Sequence, residues 1–306
     1  MKIGFIGTGV MGTGIINNLL KNNYDVTVYN RAKAHAQPVL DNGAKWADNP
    51  AELTNQVDVL FTMVGFPQDV ENIYFGENGI FETAQAGQYI INMTTSKPSL
   101  AQKIGQTGED KRIHIFDAPV SGGDIGAKKG TLTVMIGGHE EDLDQLRDIF
   151  MTFSSKLNYF GPYGSGQHAK MANQIMIAGT MTGMTEMLVY AKAAGLNLEQ
   201  VCQTLQSGAA ENFSLESYGP RILKGDYTPG FFAKHFLKDL RIALEEAEKM
   251  NLDLPSTKEA KHLYEVLVDD KKLGNDGTQA LIKLWWKKSL LVFLCLLLQY
   301  SRLTIS

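Results

Sequence analysis

An apolar run, a glycine-rich turn and a helical pattern follow one another at the amino terminus. The apolar run covers residues 2–6, the turn has the spacing G-x-G-x-x-G at Gly7, Gly9 and Gly12, and a helical pattern begins near residue 15. In such a turn the first glycine permits the tight bend, the second lets the backbone approach a pyrophosphate, and the third lets helix and strand pack closely. The helix would offer free N–H groups to phosphates. The arrangement predicts a dinucleotide-binding site; the alternative is a glycine turn used only for packing.

The alternation of strand and helix continues through the first half of the chain. Further strands are predicted at residues 25–30, 57–64, 88–93, 112–117 and 131–138. Repeated strand–helix units build a mostly parallel sheet with helices on both faces. The predicted fold class is therefore α/β, with a doubly wound sheet of the Rossmann type.

The sequence pattern changes near residue 162. Helices are predicted at residues 168–194, 197–207, 232–249 and 256–269. No convincing strand follows the boundary. We therefore expect a dinucleotide-binding domain over residues 1–162, an all-helical domain for substrate binding and self-association over 163–290, and an atypical apolar tail over 291–306.

Composition limits the possible partners. The formal net charge of −4 disfavours electrostatic binding of nucleic acid or an anionic membrane. The two cysteines exclude a disulfide framework and indicate a reducing compartment, and no zinc-like spacing predicts a metal site. The apolar stretch at 290–298 is far shorter than the roughly 20 residues that span a bilayer, and no signal peptide is predicted. We expect a cytoplasmic protein that contacts neither membrane nor nucleic acid.

The end of the second predicted strand bears on the choice of cofactor. An Asp or Glu there would bind the ribose 2′-hydroxyl and repel a 2′-phosphate. This chain has Asn30 and Arg31, which suit a phosphate better. The prediction is NADP in preference to NAD; the alternative is that Arg31 is a solvated charge that stacks on adenine without selecting phosphate. The predicted cofactor contacts also include Val10, Met11, Met63 and Val64.

One face of the long predicted helix carries polar side chains. Lys170, Asn173 and Gln174 stand at positions i, i+3 and i+4 and therefore share that face. They lie just beyond the domain boundary, where a cleft is expected. Reduction of a carbonyl puts negative charge on its oxygen, and a lysine can donate the proton. The alternative is that Lys170 extends to solvent.

A second polar segment, DAPVSGG, covers residues 117–123 and begins where a predicted strand ends. It therefore lies at the carboxyl edge of the sheet, where ligands bind in such folds. Ser121 offers a hydroxyl, and Gly122 and Gly123 expose N–H groups that could hold a carboxylate. Taken alone, the segment is better explained as an ordinary turn.

Together these residues resemble the β-hydroxyacid dehydrogenase family, which includes 3-hydroxyisobutyrate dehydrogenase, tartronate semialdehyde reductase and glyoxylate/succinic semialdehyde reductase. The resemblance covers about residues 1–284. It is carried, in the family's order, by GFIGTGVMG (4–12), TTSKP (94–98), DAPVSGG (117–123), GSGQHAKMANQ (164–174) and FLKDL (236–240). It implies a Rossmann domain and a helical domain joined by one long helix, usually in a homodimer or homotetramer.

The resemblance also implies roles for individual residues. Lys170 would give a proton to the carbonyl oxygen during reduction, and Ser121, Gly122 and Gly123 would hold the substrate carboxylate. The other implied substrate contacts are Asn173, Gln174 and Phe231. The remaining implied roles are Thr95 near the nicotinamide ribose, Lys238 reaching toward the cofactor, and Asp239 ordering the helix of Lys238.

The expected activity is hydride transfer between NADP(H), or NAD(H), and a small β-hydroxy acid or its semialdehyde. A 6-phosphogluconate-type enzyme would need more basic groups for a sugar phosphate, and imine reductases usually lack a lysine at this place. The alternative from a different class is a non-catalytic dinucleotide sensor or interaction module. Such a protein needs the glycine turn, but it has no use for both Lys170 and Ser121.

The sequence departs from the family pattern at three places. Gln174 stands where the family often has a second asparagine, which predicts a shifted pocket. Asn92 stands where an aspartate is common before the Thr-Thr pair, and no consequence is assigned to it. The sequence beyond Leu284 matches nothing in the family pattern, so the family's carboxyl-terminal contacts are not carried over.

Overall fold

A computed structural model describes residues 1–286; residues 287–306, which include the predicted apolar tail, lie outside the described part. The first part of the chain forms a nine-stranded sheet. Its strands are β1 (Ile3–Ile6), β2 (Val26–Tyr29), β3 (Lys45–Trp46), β4 (Val59–Thr62), β5 (Tyr89–Asn92), β6 (His114–Asp117), β7 (Val120–Ser121), β8 (Leu132–Gly138) and β9 (Ser154–Gly161). The helices between them are α1 (Val10–Lys21), α2 (Gln37–Leu40), α3 (Pro50–Thr54), α4 (Pro67–Phe75), α5 (Ile80–Thr83), α6 (Pro98–Asp110), α7 (Gly123–Lys129) and α8 (Arg147–Met151).

The parallel part of the sheet has the strand order β3-β2-β1-β4-β5-β6. The order reverses at β1, where the chain leaves for one edge and later returns to build the other side. β8 pairs antiparallel with β6 and β7, and β9 runs parallel to β8. The predicted mostly parallel, doubly wound sheet is confirmed. A reversal of this kind opens a crevice at the carboxyl ends of the strands, where dinucleotides bind.

Three strands escaped the sequence prediction. β3 and β7 contain only two residues each. β9 has eight residues, but most of them are exposed or half-buried. Without a continuous apolar run, β9 does not look like a strand of a buried parallel sheet. Its pairing with β8, a tertiary contact, creates it.

Apolar side chains cover both faces of the sheet. Neighbouring residues of a strand point to opposite faces, so Phe61 and Leu60 of β4 enter different core clusters. On the first face Phe61 stacks on Phe5 with ring centroids 6.1 Å apart and meets the edge of Phe150 at 5.7 Å. Each fully buried side chain of this size contributes roughly 2–3 kcal/mol, and this packing holds the strand ends in a fixed arrangement.

The second part of the chain is helical. Its helices are α9 (Ser165–Ala193), α10 (Leu198–Leu205), α11 (Phe213–Leu223), α12 (Ala233–Lys249) and α13 (Pro255–Glu265), followed by short helical turns at Val266–Asp270 and Thr278–Leu284. α9 has 29 residues, which corresponds to a length of about 43 Å. None of the helices in the described part of the chain is long and apolar enough to cross a membrane.

α11 was absent from the sequence prediction, and its composition explains why. Pro220 lies inside the helix, where proline removes a backbone hydrogen bond, and the neighbouring Gly219 also has low helix propensity. Leu215 and Ile222 are nevertheless buried in one cluster with Leu188 of α9. Packing against α9 therefore outweighs the unfavourable local propensity.

Candidate active site

The glycine-rich turn lies between β1 and α1, at the carboxyl edge of the sheet. Gly7 has a φ of 105°, and a Cβ at this position would lie 2.1 Å from the carbonyl oxygen of Met63. A Cβ on Gly12 would lie 2.1 Å from the carbonyl oxygen of Gly7. Both positions therefore require glycine for the protein's own packing.

Gly9, unlike Gly7 and Gly12, is not required to be glycine by the packing of the described residues. Its φ is −70°, and a Cβ there would meet no atom within 4 Å. Neither the backbone conformation nor packing within residues 1–286 requires glycine at this position. Gly9 is the N-cap of α1, Val10 and Met11 form its first turn, and no acidic residue lies in that turn. Open space beside a helix amino terminus fits a pyrophosphate, so the turn suits a dinucleotide.

Asn30 and Arg31 follow β2 beside this turn. The Asn30 Oδ1 accepts a hydrogen bond from the Thr8 N–H at 3.2 Å, and its Nδ2 donates to the Ala32 carbonyl at 3.0 Å. Asn30 therefore braces the glycine turn. The Arg31 side chain is 91% exposed, and its Nη1 lies 3.7 Å from Asp69 Oδ1. Such exposed ion pairs are weak, so the guanidinium can turn toward an anionic ligand.

The ends of β4 and β5 are joined by a side-chain hydrogen bond. Met63 and Val64 follow β4, and the Val64 N–H donates to Thr94 Oγ1 at 2.9 Å. Asn92 of β5 is buried; its Oδ1 accepts from the Thr94 N–H at 3.1 Å and from Thr62 Oγ1 at 3.3 Å. Its Nδ2 has no partner among the described residues. The amide therefore uses only its oxygen to order this edge, which an aspartate oxygen could do equally well.

The segment at residues 94–97 is where the two parts of the chain meet. Gln167 of α9 accepts from the Ser96 N–H at 2.9 Å and donates to the Thr94 carbonyl at 2.8 Å. Lys238 of α12 donates to the Thr95 carbonyl at 2.6 Å. The segment predicted to lie near the nicotinamide is thus held from two helices. Sequence reasoning missed Gln167, although it lies inside the GSGQ segment.

Asp117 is a second residue that sequence reasoning left without a role. It is buried at the end of β6, and its Oδ1 and Oδ2 each accept a backbone N–H at 2.8 Å, from Gly164 and Gln167 respectively. Burial raises the pKa of the Asp117 carboxyl, and these two hydrogen bonds oppose the increase. Asp117 therefore anchors the start of α9 and fixes the direction in which Lys170 projects. An acid as the last residue of a buried strand is the sequence signal that could have found it.

Lys170 is buried beside β7. Its Nζ donates to the Val120 carbonyl at 2.8 Å, and the residue is 8% exposed. Burial lowers the pKa of Lys170 to about 8; the negative charge of Asp239 opposes this decrease, and the positive charge of Lys238 adds to it. The alternative that Lys170 extends to solvent is wrong. A lysine with this pKa can both hold and release a proton near neutral pH.

A continuous polar chain links β7, α9 and α12 next to Lys170. Ser121 Oγ lies 3.4 Å from Asn173 Oδ1, and Asn173 Nδ2 donates to Gln174 Oε1 at 2.7 Å. Gln174 Nε2 donates to Asp239 Oδ2 at 2.6 Å. Lys238 Nζ lies 3.1 Å from Asp239 Oδ1 as an ion pair. The structure therefore brings these predicted site residues together in one cluster.

Gly122, Gly123 and Phe231 lie around this cluster. Gly122 and Gly123 have φ values of 125° and 62°, and a Cβ on Gly123 would meet no atom within 4 Å. Phe231 is half-buried and packs against the edge of Phe236 at 5.6 Å. A Cβ on Gly230, the residue before it, would lie 2.7 Å from Asp124 Oδ1. The Phe231 segment thus approaches the start of α7.

A contact between Phe66 and His235 was also missed. Phe66 follows β4, His235 lies on α12, and their ring centroids are 5.5 Å apart. Burial, together with the positive charges of Lys238 and Lys234, lowers the pKa of His235 to about 4. The imidazole is therefore neutral at physiological pH. Nothing in either local sequence indicates this pair.

Along one sheet edge, the described residues hold a buried lysine, a hydroxyl and a glycine turn at the amino terminus of a helix. Residues 1–286 contain no group of three or more His, Cys, Asp or Glu side chains placed to hold a metal ion. The arrangement can bind a dinucleotide and a carboxylate and can move a proton at a neighbouring oxygen.

Comparison with known proteins agrees with this geometry. Residues 2–161 match the family model described as the NAD binding domain of 6-phosphogluconate dehydrogenase. Residues 164–285 match the model described as NAD-binding of NADP-dependent 3-hydroxyisobutyrate dehydrogenase. Together with the fold and the glycine turn, these matches define an NAD(P)-binding oxidoreductase.

The chain belongs to the β-hydroxyacid dehydrogenase family, as the sequence resemblance predicts. It is 48% identical to an uncharacterized oxidoreductase of Bacillus subtilis over 93% of this chain and 99% of the relative. It is 35% identical to the 2-hydroxy-3-oxopropionate reductase of Escherichia coli over 91% of this chain and 94% of the relative. A protein named Psf3, solved with NADP+ and 2-OPP, shares the fold with a TM-score of 0.87 at 22% identity, over 93% of this chain and 100% of that one. None of these similarities supports the non-catalytic alternative.

Proposed function

We propose that this protein catalyses the NADP-dependent reduction of a small aldehyde that carries a carboxylate, and the reverse oxidation of the corresponding β-hydroxy acid. The observation that carries the proposal is the buried Lys170 ammonium, whose pKa is lowered to about 8. Its Nζ donates to the carbonyl of Val120, the residue before Ser121, at the edge of the sheet where the glycine turn also lies. A proton donor, a carboxylate site and a phosphate site in one cleft suit this reaction.

The roles of the chain's own residues follow from their chemistry. When bound, the nicotinamide cofactor supplies or accepts the hydride. The turn at residues 7–12 holds the phosphates, and the Ser121 hydroxyl with the N–H groups of Gly122 and Gly123 binds the substrate carboxylate. Lys170 donates a proton to the carbonyl oxygen as negative charge develops there. Because its pKa is near 8, Lys170 can donate in reduction and accept in oxidation.

The preference for NADP over NAD is part of the same proposal. Arg31 is exposed beside the turn and, within residues 1–286, is held only by a weak ion pair to Asp69. A guanidinium at this place would bind a 2′-phosphate with charge-assisted hydrogen bonds. The NADP-dependent family model matched by residues 164–285 supports this preference.

A substrate panel tests the proposal. NADPH and NADH are each combined with glyoxylate, succinic semialdehyde, 2-hydroxy-3-oxopropionate and 2-methyl-3-oxopropionate, and absorbance of the reduced cofactor is followed. We expect NADPH oxidation with at least one aldehyde, and a decrease of about 100- to 10,000-fold in Lys170→Ala, the loss typical of removing a general acid. Lys224→Ala, which changes an exposed lysine of the same domain, is the control and keeps the parent rate. No reaction in the whole panel, despite tight dinucleotide binding, would show that the proposal is wrong.

A further inference from the structure

A polar relay runs from the interior of α12 to the cleft. Asp239 is 2% exposed and, as a carboxylate, only accepts hydrogen bonds. Gln174 is fully buried, and its Nε2 donates to Asp239 at 2.6 Å. The Gln174 Oε1 therefore turns away from Asp239 and accepts from Asn173 Nδ2 at 2.7 Å. Because an amide presents its donor and its acceptor on opposite sides, Asp239 sets the orientation of both carboxamides.

The relay ends in a hydrogen-bond acceptor at the cleft. With its Nδ2 held by Gln174, Asn173 turns its Oδ1 toward Ser121, whose Oγ lies 3.4 Å away. If the Asn173 amide were turned around, its Oδ1 would face Gln174 Oε1, and two acceptors would lie against each other. A 3.4 Å separation is too long for a strong hydrogen bond, and Asn173 and Ser121 are both only half-buried. The Asn173 oxygen therefore still has the capacity to accept from a ligand in the cleft.

We propose that Gln174 and Asp239 are positioning residues that hold the Asn173 oxygen toward the substrate and thereby select an aldehyde acid with a hydroxyl between its carboxylate and its aldehyde. The inference rests on the proposed function and names its substrate class. A substrate hydroxyl donates to Asn173 Oδ1. A methyl group in the same place leaves that oxygen desolvated and without a partner, which disfavours the methyl compound.

Two substrates that differ only at this substituent test the inference. The ratio of kcat/KM for 2-hydroxy-3-oxopropionate to that for 2-methyl-3-oxopropionate is measured with NADPH. We expect a ratio of at least about tenfold in the parent, from one lost hydrogen bond to an oriented acceptor. In Gln174→Leu, which can neither donate to Asp239 nor accept from Asn173, the amide of Asn173 is free to turn. The ratio then falls to within about threefold of one, mainly through a higher KM for the hydroxyl substrate.

The Gln174→Glu variant provides a pH signature that a merely structural role would not produce. Next to the Asp239 carboxylate, the introduced carboxyl group favours its protonated form at low pH. It then donates to Asp239 and accepts from Asn173, so the parent ratio is retained in acid. When it ionises at higher pH, the donor is lost and the ratio falls. Met176→Leu, on an exposed side chain of the same helix, is the control and keeps the parent ratio throughout.

The outcomes separate the inference from the proposed function. NADPH binding, followed by fluorescence, identifies any variant that has lost its fold; if Gln174→Leu fails this check, the pH response of Gln174→Glu decides. A parent ratio near one, or a ratio unaffected by both substitutions, overturns the inference but leaves the proposed function intact. Absence of NADPH oxidation with both substrates, in a parent that binds NADPH, overturns the inference, and the proposed function falls as well only when glyoxylate and succinic semialdehyde also fail to react.

Discussion

The glycine turn at residues 7–12 and the polar cluster around Lys170 are built in opposite ways. The turn consists of one short segment, and its shape depends on where side chains are absent: a Cβ on Gly7 or Gly12 would collide with a carbonyl oxygen 2.1 Å away. The cluster consists of side chains from β7, α9 and α12, joined by hydrogen bonds and an ion pair. A site made of backbone can be predicted from local spacing, whereas a site made of buried side chains depends on how distant segments pack.

The largest effect that tests this contrast is expected at Gly7. In Gly7→Ala the positive φ and the contact with the Met63 carbonyl oxygen would both be strained. We expect the free energy of unfolding to fall by at least about 3 kcal/mol, measured by urea denaturation. In Gly9→Ala, whose added methyl group meets no protein atom within the described residues, the free energy of unfolding should change by less than about 0.5 kcal/mol. The NADPH dissociation constant of this variant should rise about tenfold or more, because the pyrophosphate loses its close approach to the backbone. Equal losses of stability in the two variants would contradict the distinction between packing and ligand-binding glycines.

A smaller effect is expected at Arg31, which contributes charge and not shape. Arg31→Ala removes the guanidinium proposed to bind the 2′-phosphate, and its weak pairing with Asp69 means that little stability is lost. The ratio of kcat/KM for NADPH to that for NADH should fall about tenfold, as expected for charge-assisted hydrogen bonds to one phosphate. Lys21→Ala, at an exposed lysine of α1, should leave the ratio unchanged. An unaltered ratio in Arg31→Ala would mean that the arginine does not select the cofactor.

The smallest effect is expected in the pH dependence of the reduction rate, which tests the polar cluster around Lys170. The proposed role of Lys170 as proton donor requires its protonated form in reduction, so the rate should decrease as pH rises through about 8. The charge of Asp239 raises the pKa of Lys170 against the effect of burial. Asp239→Asn removes that charge while keeping an acceptor for Gln174, so the pKa of Lys170 falls and the decrease begins at lower pH. A profile that stays in place or moves to higher pH would show that Asp239 does not act on Lys170 through its charge.

Much of the fold could be predicted because the signals were local. Each strand predicted from an apolar run is present, as β1, β2, β4, β5, β6 and β8, and the long predicted helix corresponds to α9. The misses are elements whose local sequence is neutral or unfavourable. β9 is largely exposed and exists by pairing with β8, and α11 carries Pro220 and forms by packing on α9.

The candidate site shows the same division. The spacing of Lys170, Asn173 and Gln174 already predicts that they share a helix face. The contacts that hold this helix in place did not follow from spacing: Asp117 of β6 accepts from the Gly164 N–H just before α9, and Gln167 of α9 donates to the Thr94 carbonyl. These contacts join residues from 47 to 73 positions apart, and no local pattern specifies such pairs.

The amino-acid sequence by itself determines the α/β architecture, the dinucleotide turn and the set of polar residues available for chemistry. It does so because strand periodicity and glycine sterics act over a few neighbouring residues. Tertiary structure alone decides that Lys170 is buried with its pKa near 8, and that Asp239 orients Gln174 and Asn173 toward the cleft. Burial and hydrogen-bond direction depend on which distant side chains surround a group, and only the folded chain brings those side chains together.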